Sequence, residues 1–325
     1  ALGGFSATHI CVFDRFRFLE FSTSVKLKGQ TLAQLVGSSL MAFISYAQNF
    51  EDITLWRAFR LALQTGFYID VGANDPIIDS VTKAFYDIGW RGINIEPSPS
   101  YFQRLMQSRE RDINLPVAAS HENGEITFYD AGISGRSTIE ADVALDLKNE
   151  GKLVTSRTVP ARTLNSICEQ YVSSEIHFLK IDVEGHELSV LQGLDLTRWR
   201  PWIILIENPF NVEPVWESLL TLADYEFVHY DGINRYYLCK EHVNLAGAFD
   251  TPPNILDDFQ LCYGHSLSYP VAEMEAKIAA EKKRADEAEN QLRALQSKLT
   301  SLSRAMIREL IWSVVKKLSH FKRSP

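Results

Sequence analysis

The sequence contains only four cysteines among 325 residues, and they lie far apart, at Cys11, Cys168, Cys239 and Cys262. This spacing excludes a disulfide scaffold and a paired-cysteine metal site, so we expect buried thiols in a reducing cytoplasm. Apolar runs are short, as at 202–206, and none approaches the roughly 20 residues of a membrane-spanning helix. No basic stretch followed by an apolar one is present near Ala1, so no leader is expected. A start at alanine rather than methionine is consistent with a fragment of a longer protein.

The two charge signs are unevenly distributed along the chain. From Val271 onward there are twelve Lys or Arg against seven Asp or Glu, a balance of +5, which leaves −13 for residues 1–270 within the formal total of −8. The two parts therefore suit different partners. No nucleic-acid partner is expected.

Between Gly66 and about Glu241, short apolar runs alternate with helical patterns, which indicates βαβ units and a mostly parallel sheet. Upstream, Ile53, Trp56, Phe59 and Leu63 recur at helical spacing and predict a helix that caps the sheet. The predicted strands are 67–71, 92–95, 114–118, 178–183 and 202–207, an extra strand at 125–130, and a hairpin of 226–230 and 235–239. The predicted helices are 77–88, 98–108, 186–197 and 213–223.

A heptad pattern begins at Val271. Only Glu281 and Glu309 are charged among its positions, which are 271, 274, 278, 281, 285, 288, 292, 295, 299, 302, 306 and 309. The pattern predicts a coiled coil of about five heptads that joins copies of the chain. The alternative is an amphipathic helix packed against the globular domain. The charges at the e and g positions specify partner and orientation poorly.

The last twenty residues place an apolar face, including Leu310, Ile311 and Val314, beside the basic Lys316 and Lys317. Such a segment can lie on an anionic membrane surface, or it can simply end the helical bundle. The sequence leaves both open. The expected location is the cytoplasm, in the first case at the inner membrane surface.

Two strand ends predict a nucleoside-binding cleft. In FYIDVGANDP, Asp70 ends a buried strand and Gly72 begins a tight turn, where a ligand can approach the backbone. In GINIEPSP, the next strand ends at Glu96, whose carboxylate can accept both ribose hydroxyls.

The turn after Gly72 carries Asn74, Asp75 and Pro76 instead of a G-x-G-x-x-G motif. Asp75 repels phosphates, and Pro76 removes one backbone donor, so a dinucleotide fits poorly. A cofactor without phosphate and with a cationic tail, S-adenosylmethionine (SAM), fits better.

These motifs resemble the FkbM family of SAM-dependent O-methyltransferases. The resemblance covers roughly residues 43–240 and rests on FYIDVGAND, INIEPSP, LKIDVEGHELSVLQG and, upstream, SYAQNFED. It implies an α/β class I methyltransferase fold, with a doubly wound, seven-stranded, Rossmann-like sheet whose last strand is antiparallel. It also implies a hydroxyl acceptor, most often on a saccharide or natural product, such as a surface polysaccharide or its lipid-linked precursor. Many family members have glycine where Asp75-Pro76 stands.

The resemblance also implies which residues bind the cofactor. They are Asp70, Gly72, Ala73 and Asn74 along the amino-acid and ribose side, Glu96 at the ribose, Ala118 or Ala119 near adenine, and Gln48 on the lid side. For Gln48, a helix start with a solvated face is the ordinary alternative.

HFLKIDVEGHEL, at 177–188, places charges at the end of the fourth strand. By two-residue alternation Asp182 and Glu184 fall on one side, beside the reacting methyl group, and Lys180 shares that side as a counter-ion. The acceptor hydroxyl needs a general base, for which His186 is favoured and Asp182 is the alternative. Glu184 is expected to position the acceptor, and Glu187 to complement the helix dipole.

A metal could replace the base. Asp182 together with Glu207 and Asn208 at the end of the fifth strand would supply three oxygen ligands suited to Mg²⁺. This set is similar to that of catechol-type O-methyltransferases. Adjacent strand ends also gather carboxylates without metal, and Glu207 and Asn208 can instead hold a sugar, so Mg²⁺ is the less favoured route.

The expected organisation is an N-terminal extension at 1–40, an FkbM-like domain at 41–250, a linker at 251–270 and the coiled coil with its basic end at 271–325. Two other functions fit the fold class, a nicotinamide-dependent sugar epimerase or reductase, and a non-catalytic scaffold acting through the coiled coil. The former usually has a Tyr-x-x-x-Lys pair on a helix, whereas Tyr236 and Lys240 fall on a predicted strand.

Overall fold

The computed structural model describes residues 26–27, 30–31, 42–61, 63–132, 136–209, 213–268 and 270–321, so most of the expected N-terminal extension lies outside the described residues. The chain divides into two compact units after Leu261. The first part of the region expected to be a linker therefore belongs to the first unit. Arg57 fixes it there, because its guanidinium binds the Asp257 carboxylate at 2.6 Å and the carbonyl oxygens of Thr251 and Pro252.

Strands and helices alternate along the described residues. The strands are β1 (Lys26–Leu27), β2 (Gln30–Thr31), β3 (Phe43–Ser45), β4 (Phe67–Val71), β5 (Arg91–Ile95), β6 (Ile113–Leu115), β7 (Ala118–Ala119), β8 (Gly124–Asp130), β9 (Thr155–Arg162), β10 (Phe178–Ile181), β11 (Ile203–Glu207), β12 (Tyr225–Tyr230), β13 (Asn234–Cys239) and β14 (Phe259–Leu261). The helices are α1 (Glu51–Phe59), α2 (Lys83–Asp87), α3 (Pro99–Ser108), α4 (Ala141–Asn149), α5 (Leu164–Tyr171), α6 (Glu187–Gln192), α7 (Glu217–Leu222) and α8 (Val271–Phe321), with 3₁₀ segments at Lys240–Phe249 and Ile255–Asp257.

Seven strands form the main sheet, in the order β12–β13–β11–β10–β4–β5–β6. Neighbouring strands from β11 to β6 run parallel, and β13 pairs antiparallel with both β11 and β12. The chain order reverses at β4, since β5 and β6 lie on one side of it and β10 and β11 on the other. Open α/β sheets bind ligands at the carboxyl ends of the strands near such a reversal, which here means the ends of β4 and β10.

Alternate residues of the central strands face two separate apolar cores. Ile69 and Leu179 belong to the core on one face, and Tyr68 and Phe178 belong to the core on the other. The second core is rich in aromatic rings, which include Phe59, Phe85 and Trp90. Because both faces are buried, the strands are nearly continuous apolar runs, and the charged Asp70 and Lys180 within them are exceptional.

The third predicted strand, 114–118, is divided in the structure. Ile113–Leu115 closes the main sheet, whereas Ala118–Ala119 pairs with β9 in a separate sheet of order β7–β9–β8. Pro116 lies between them and lacks the N–H that a continuing ladder needs. The extra strand predicted at 125–130 is confirmed as β8, but its partner β9 was not predicted.

Several predicted elements are longer than those observed. The helix predicted at 77–88 is reduced to Lys83–Asp87, because the Asp75 side chain accepts hydrogen bonds from the N–H groups of Ile77 and Ile78 and forms a turn. The helix predicted at 186–197 ends at Gly193. A Cβ atom at Gly193 would lie 2.3 Å from the carbonyl oxygen of Ser120. Three further elements are also shorter than predicted. The fourth predicted strand ends at Ile181 rather than at 183, and the first helix ends at Phe59, although its apolar pattern extends to Leu63. The helix predicted at 213–223 spans 217–222.

The second unit contains one long helix, α8, which runs for 51 residues from Val271 to Phe321. Its large apolar side chains, such as Leu295 and Leu302, are exposed along the helix. In the part of the chain that the structure describes, no helix is both long enough and apolar enough to span a membrane.

Candidate active site

The carboxyl ends of β4, β5 and β10 open into one cleft. Its polar side is lined by Gly72, Asn74, Glu96, Asp182 and Glu184. Its apolar side is lined by Tyr101, Ala118, Ala119, Phe128 and Ile139. Residues that lie far apart in the sequence, at the ends of different strands, are thus brought to one site.

The Gly72 turn is shaped by the close approach of the chain after β10. Gly72 has a φ of +75°, and a Cβ atom there would lie 1.8 Å from the carbonyl oxygen of Asp182. The backbone N–H groups of Gly72 and Ala73 donate to the carbonyl oxygen of Ile95, which ties the turn to β5. Asn74 follows with a φ of 49°, and its Oδ1 is buried without a hydrogen-bond partner among the described residues. That unpaired oxygen belongs to a residue that lines the cleft.

Glu96 joins the ends of β4 and β5. Its Oε2 accepts a hydrogen bond from the backbone N–H of Asn74, and its Oε1 accepts one from the N–H of Ser98, both at 2.8 Å. Burial raises the pKa of Glu96 to about 7, against the lowering effect of these two hydrogen bonds. Each carboxylate oxygen can accept a second hydrogen bond, so Glu96 can still bind a pair of hydroxyls.

Lys180 connects the Gly72 turn to the acidic end of β10. Its Nζ lies 3.1 Å from Oδ2 of Asp182 and 3.5 Å from Oδ1 of Asp70, and it donates to the carbonyl oxygen of Gly72 at 3.2 Å. Burial lowers the pKa of Lys180, but the Asp182 and Asp70 carboxylates outweigh burial and raise it above the usual value. The ammonium group therefore stays charged, and the expected counter-ion role is confirmed.

Asp182, Glu184 and Glu207 bring carboxyl oxygens within 4.8 Å of one another. Burial, reinforced by the charge of Asp182, raises the pKa of Glu184 to about 7. Burial and then Asp182 also raise the pKa of Glu207 well above its usual range. Because close carboxylates resist simultaneous ionisation, this group holds a proton at neutral pH or attracts a cation.

The metal set expected from the sequence was Asp182, Glu207 and Asn208. The structure brings Asp182 and Glu207 together and adds Glu184 as the third carboxyl group. Asn208 follows Glu207 in the sequence and is buried. Its backbone N–H donates to the carbonyl oxygen of Ile233 at 2.7 Å. The described oxygen atoms suit either a shared proton or a hard divalent cation.

His186 is engaged at both ring nitrogens. Nδ1 lies 2.6 Å from Oε1 of Glu140, and Nε2 lies 3.3 Å from Oγ of Ser120. Nearby, Oγ1 of Thr138 donates to the carbonyl oxygen of Glu184 at 2.8 Å. These contacts hold the segment 137–140 against the end of β10, and residues 137–139 line the cleft. The geometry therefore favours a positioning role for His186 over the general base expected from the sequence.

We expect His186→Ala to raise the KM for the acceptor, because His186 holds a segment that lines the cleft. The kcat should stay within about tenfold of the wild-type value, whereas loss of a general base would lower it by about 10²–10⁴-fold. Steady-state kinetics with varied acceptor measure both parameters. Glu140→Gln, which weakens the same contact, should give the same pattern. A fall in kcat of a hundredfold or more with an unchanged KM would return His186 to the role of base.

Three residues expected at the cofactor do not line the cleft. Asp70 is 1% exposed, because its carboxylate pairs with Lys180 and accepts a hydrogen bond from Oγ1 of Thr82 at 2.9 Å. Ala73 is buried behind the turn, and Gln48 is exposed to solvent. Asp70 thus supports the site through Lys180 rather than by direct contact.

The turn after Gly72 offers few donors to a phosphate. Oδ1 of Asp75 already accepts from the N–H groups of Ile77 and Ile78, and its Oδ2 lies 2.5 Å from Nη1 of Arg104. A dinucleotide needs such N–H groups for its pyrophosphate. Tyr236 is fully buried on β13 and donates to Oδ2 of Asp231 at 2.7 Å, which does not fit the catalytic pair of a reductase.

Comparison with known proteins identifies a family and a relative. The family model described as the methyltransferase FkbM domain matches residues 70–233. The hexuronic acid methyltransferase AglP of Haloferax volcanii is 28% identical over 123 residues, which cover 37% of this chain and 47% of that protein. The chain thus matches about half the length of this curated relative.

Proposed function

Because the chain belongs to the methyltransferase FkbM family, we propose that it transfers a methyl group from SAM to a hydroxyl group of a saccharide. One observation carries the proposal. A single cleft joins the Gly72 turn, the Glu96 carboxylate and the acidic end of β10. A nucleoside along the first two would direct its reactive end toward the third.

The residues of the cleft suit SAM from end to end. Ala118 and Phe128 offer apolar surface to an adenine ring, and Glu96 offers acceptors to the ribose hydroxyls. The unpaired Oδ1 of Asn74 can accept a hydrogen bond from the amino group of the methionine tail. When bound, SAM supplies a methyl group on a cationic sulfonium, and the carboxylates around Asp182 attract such a cation. The seven-stranded order with an antiparallel β13 supports the class I methyltransferase fold that the FkbM resemblance implies.

We assign the acceptor hydroxyl to Asp182. Lys180 lies 3.1 Å from Oδ2 of this carboxylate and fixes its orientation, and the carboxyl group of Glu207 also hydrogen-bonds to it. Each carboxylate oxygen can accept a second hydrogen bond, so the hydroxyl can still bind. Asp182 would take the hydroxyl proton as general base, and bound SAM would supply the methyl group, with its sulfonium leaving as a thioether. Glu207, whose raised pKa keeps it protonated, donates its proton in a hydrogen bond to Asp182, and its carbonyl oxygen can accept a hydrogen bond from the acceptor sugar.

A hydroxyl suits this site better than a carboxylate acceptor. AglP is named for a hexuronic acid, which carries both kinds of group. An acceptor carboxylate would be repelled by the charge that Asp182 carries in this cluster, and Lys180 is already bound to Asp182 and Asp70. A neutral hydroxyl avoids that repulsion.

We expect EDTA to leave the methylation rate unchanged, because Lys180 and the proton on Glu207 already offset charge in the carboxyl cluster. The measurement is a chelator titration of initial rates, with added Mg²⁺ as the control. Loss of activity in EDTA that Mg²⁺ restores would instead assign Asp182, Glu184 and Glu207 to a metal ion.

We also infer that α8 joins copies of the chain through its heptad seam and that its basic end can rest on an anionic membrane surface. The seam residues are exposed in the single chain, and Ile311, Trp312 and Val314 are exposed beside Lys316 and Lys317. A cytoplasmic enzyme bound in this way would meet lipid-linked saccharides.

The proposed function is tested with SAM that carries tritium in the methyl group. Label transferred to surface glycans or lipid-linked saccharides supports it, whereas label found in protein overturns the substrate class. Calorimetry with SAM separates the remaining alternative. A chain that binds no SAM is a scaffold rather than a methyltransferase.

A further inference from the structure

We propose that α8 forms a parallel, in-register, two-stranded coiled coil with α8 of a second copy of the chain. This inference rests on the self-association proposed above and adds the number of strands, their direction and their register. The helix has 51 residues, or roughly 77 Å at 1.5 Å per residue. Its exposed seam consists of Val271, Met274, Ile278, Leu292, Leu295, Leu299, Leu302 and Met306.

The width of the seam favours two strands. The β-branched residues at position a, Val271 and Ile278, lie in the first two heptads, whereas the leucines at position d, Leu295 and Leu302, follow Leu292 and Leu299 at a, so residue type alone does not set the strand number. The apolar stripe is two residues per heptad wide for most of its length, which covers one neighbouring helix.

The charged residue within the seam distinguishes the two directions. In a parallel, in-register pair, Glu281 at position d faces Glu281 of the second copy, with Lys277 and Lys282 of both chains flanking the layer. Those lysines otherwise repel each other across the seam, and the two glutamates offset that repulsion. In the antiparallel pair that aligns the same seam, each Glu281 faces Leu299 instead. A carboxylate against an apolar layer costs more than one within a charged layer.

The flanking charges taken together specify direction poorly, because Lys277 at position g faces Lys282 at position e of the second copy, but the single pair of Arg284 and Glu289 favours the parallel arrangement. There, Arg284 at position g meets Glu289 at position e of the second copy, once on each side of the seam. In the antiparallel arrangement Glu289 meets Glu289 of the second copy, and Arg284 meets Lys298. Arg284 and Glu289 therefore form two attractive pairs in the parallel arrangement and only repulsive pairs in the antiparallel one.

The layer around Glu281 also fixes the register. A shift by one heptad would place each Glu281 against an apolar or alanine layer and would separate Arg284 from Glu289. Polar residues at a seam position specify register at some cost in stability. In the parallel register both chains enter the coiled coil at one end, and both basic carboxyl-terminal segments lie at the opposite end.

The test uses the full-length chain with Leu295→Cys, oxidised and analysed without reductant. In the parallel register the two d-position cysteines face each other, so we expect a covalent dimer. Ser301→Cys, on the outer face of the helix, controls for the native cysteines and should not cross-link above the wild-type level. In the antiparallel register residue 295 faces Ala285, so cross-linking only between Leu295→Cys and Ala285→Cys chains would overturn the proposal.

Light scattering separates failure of this inference from failure of self-association. We expect twice the chain mass of 36.9 kDa, and Arg284→Glu should shift the protein toward the monomer. A monomeric wild-type chain would overturn self-association and the coiled coil together, with methyl transfer unaffected. A trimer, or a dimer that Arg284→Glu strengthens, would leave self-association standing and overturn the strand number or the direction.

Discussion

Replacing Asp182 with asparagine is expected to lower kcat by about 10²–10⁴-fold, the usual contribution of a general base. Asparagine keeps the shape of the side chain and can still accept the hydrogen bond from Lys180, but it cannot take the proton of the acceptor hydroxyl. The affinity for SAM should fall far less than kcat, because Gly72, Asn74 and Glu96 remain in place and only one of the carboxyl groups that attract the sulfonium is replaced. Single-turnover kinetics and SAM calorimetry measure the two effects separately.

Asp146→Asn is the matched control, since it removes an exposed carboxylate on α4 away from the cleft. It should retain the wild-type rate. An Asp182→Asn enzyme with kcat within tenfold of wild type would mean that proton removal does not pass through this carboxylate.

Gly72→Ala is expected to abolish measurable SAM binding and to destabilise the fold. The new Cβ would lie 1.8 Å from the carbonyl oxygen of Asp182 and 3.0 Å from its carbonyl carbon, so the backbone after β4 or after β10 must move. Overpacking of this kind costs roughly 1–3 kcal/mol, and a positive φ costs a side-chain residue about 1 kcal/mol more. Calorimetry with SAM and thermal unfolding measure the two consequences.

Gly124→Ala provides the control for this substitution. A Cβ at Gly124 meets no heavy atom within 4 Å, so both SAM binding and the melting temperature should stay near wild type. If Gly72→Ala bound SAM as tightly as wild type, the turn would not be part of the cofactor site.

The sequence alone was sufficient to bring Asp182 and Glu207 together. Both follow buried apolar strands, and parallel neighbours end at one edge of a sheet. Glu96 was placed at the cleft by the same reasoning. Strand-end positions are therefore the part of the site that periodicity can predict.

The register between neighbouring strands could not be predicted from the sequence. Lys180 pairs in register with Asp70 across β10 and β4, and this pairing draws the Asp70 carboxylate to Lys180 and away from the cleft. Alternation within a single strand gives the parity of a side chain but not its neighbour on the next strand.

The structure favours a positioning role for His186 over the predicted general base, for a related reason. Its partner Glu140 precedes α4, in a crossover where only β8 was predicted. A histidine within a cluster of charges resembles a catalytic base until the residues that occupy its nitrogens are known. Ile139, which lines the cleft from that crossover, was not predicted, because its approach depends on the unpredicted pairing of β8 with β9.

The account depends most directly on the kind of bond that the labelled methyl group forms. Product made with tritiated SAM and a uronic-acid-containing glycan can be treated with mild alkali, which releases methanol from a methyl ester but not from a methyl ether. We expect the label to stay on the sugar, because the carboxyl cluster at Asp182 favours a hydroxyl acceptor. Release of the label as methanol would show transfer to a carboxylate and would contradict the proposed chemistry.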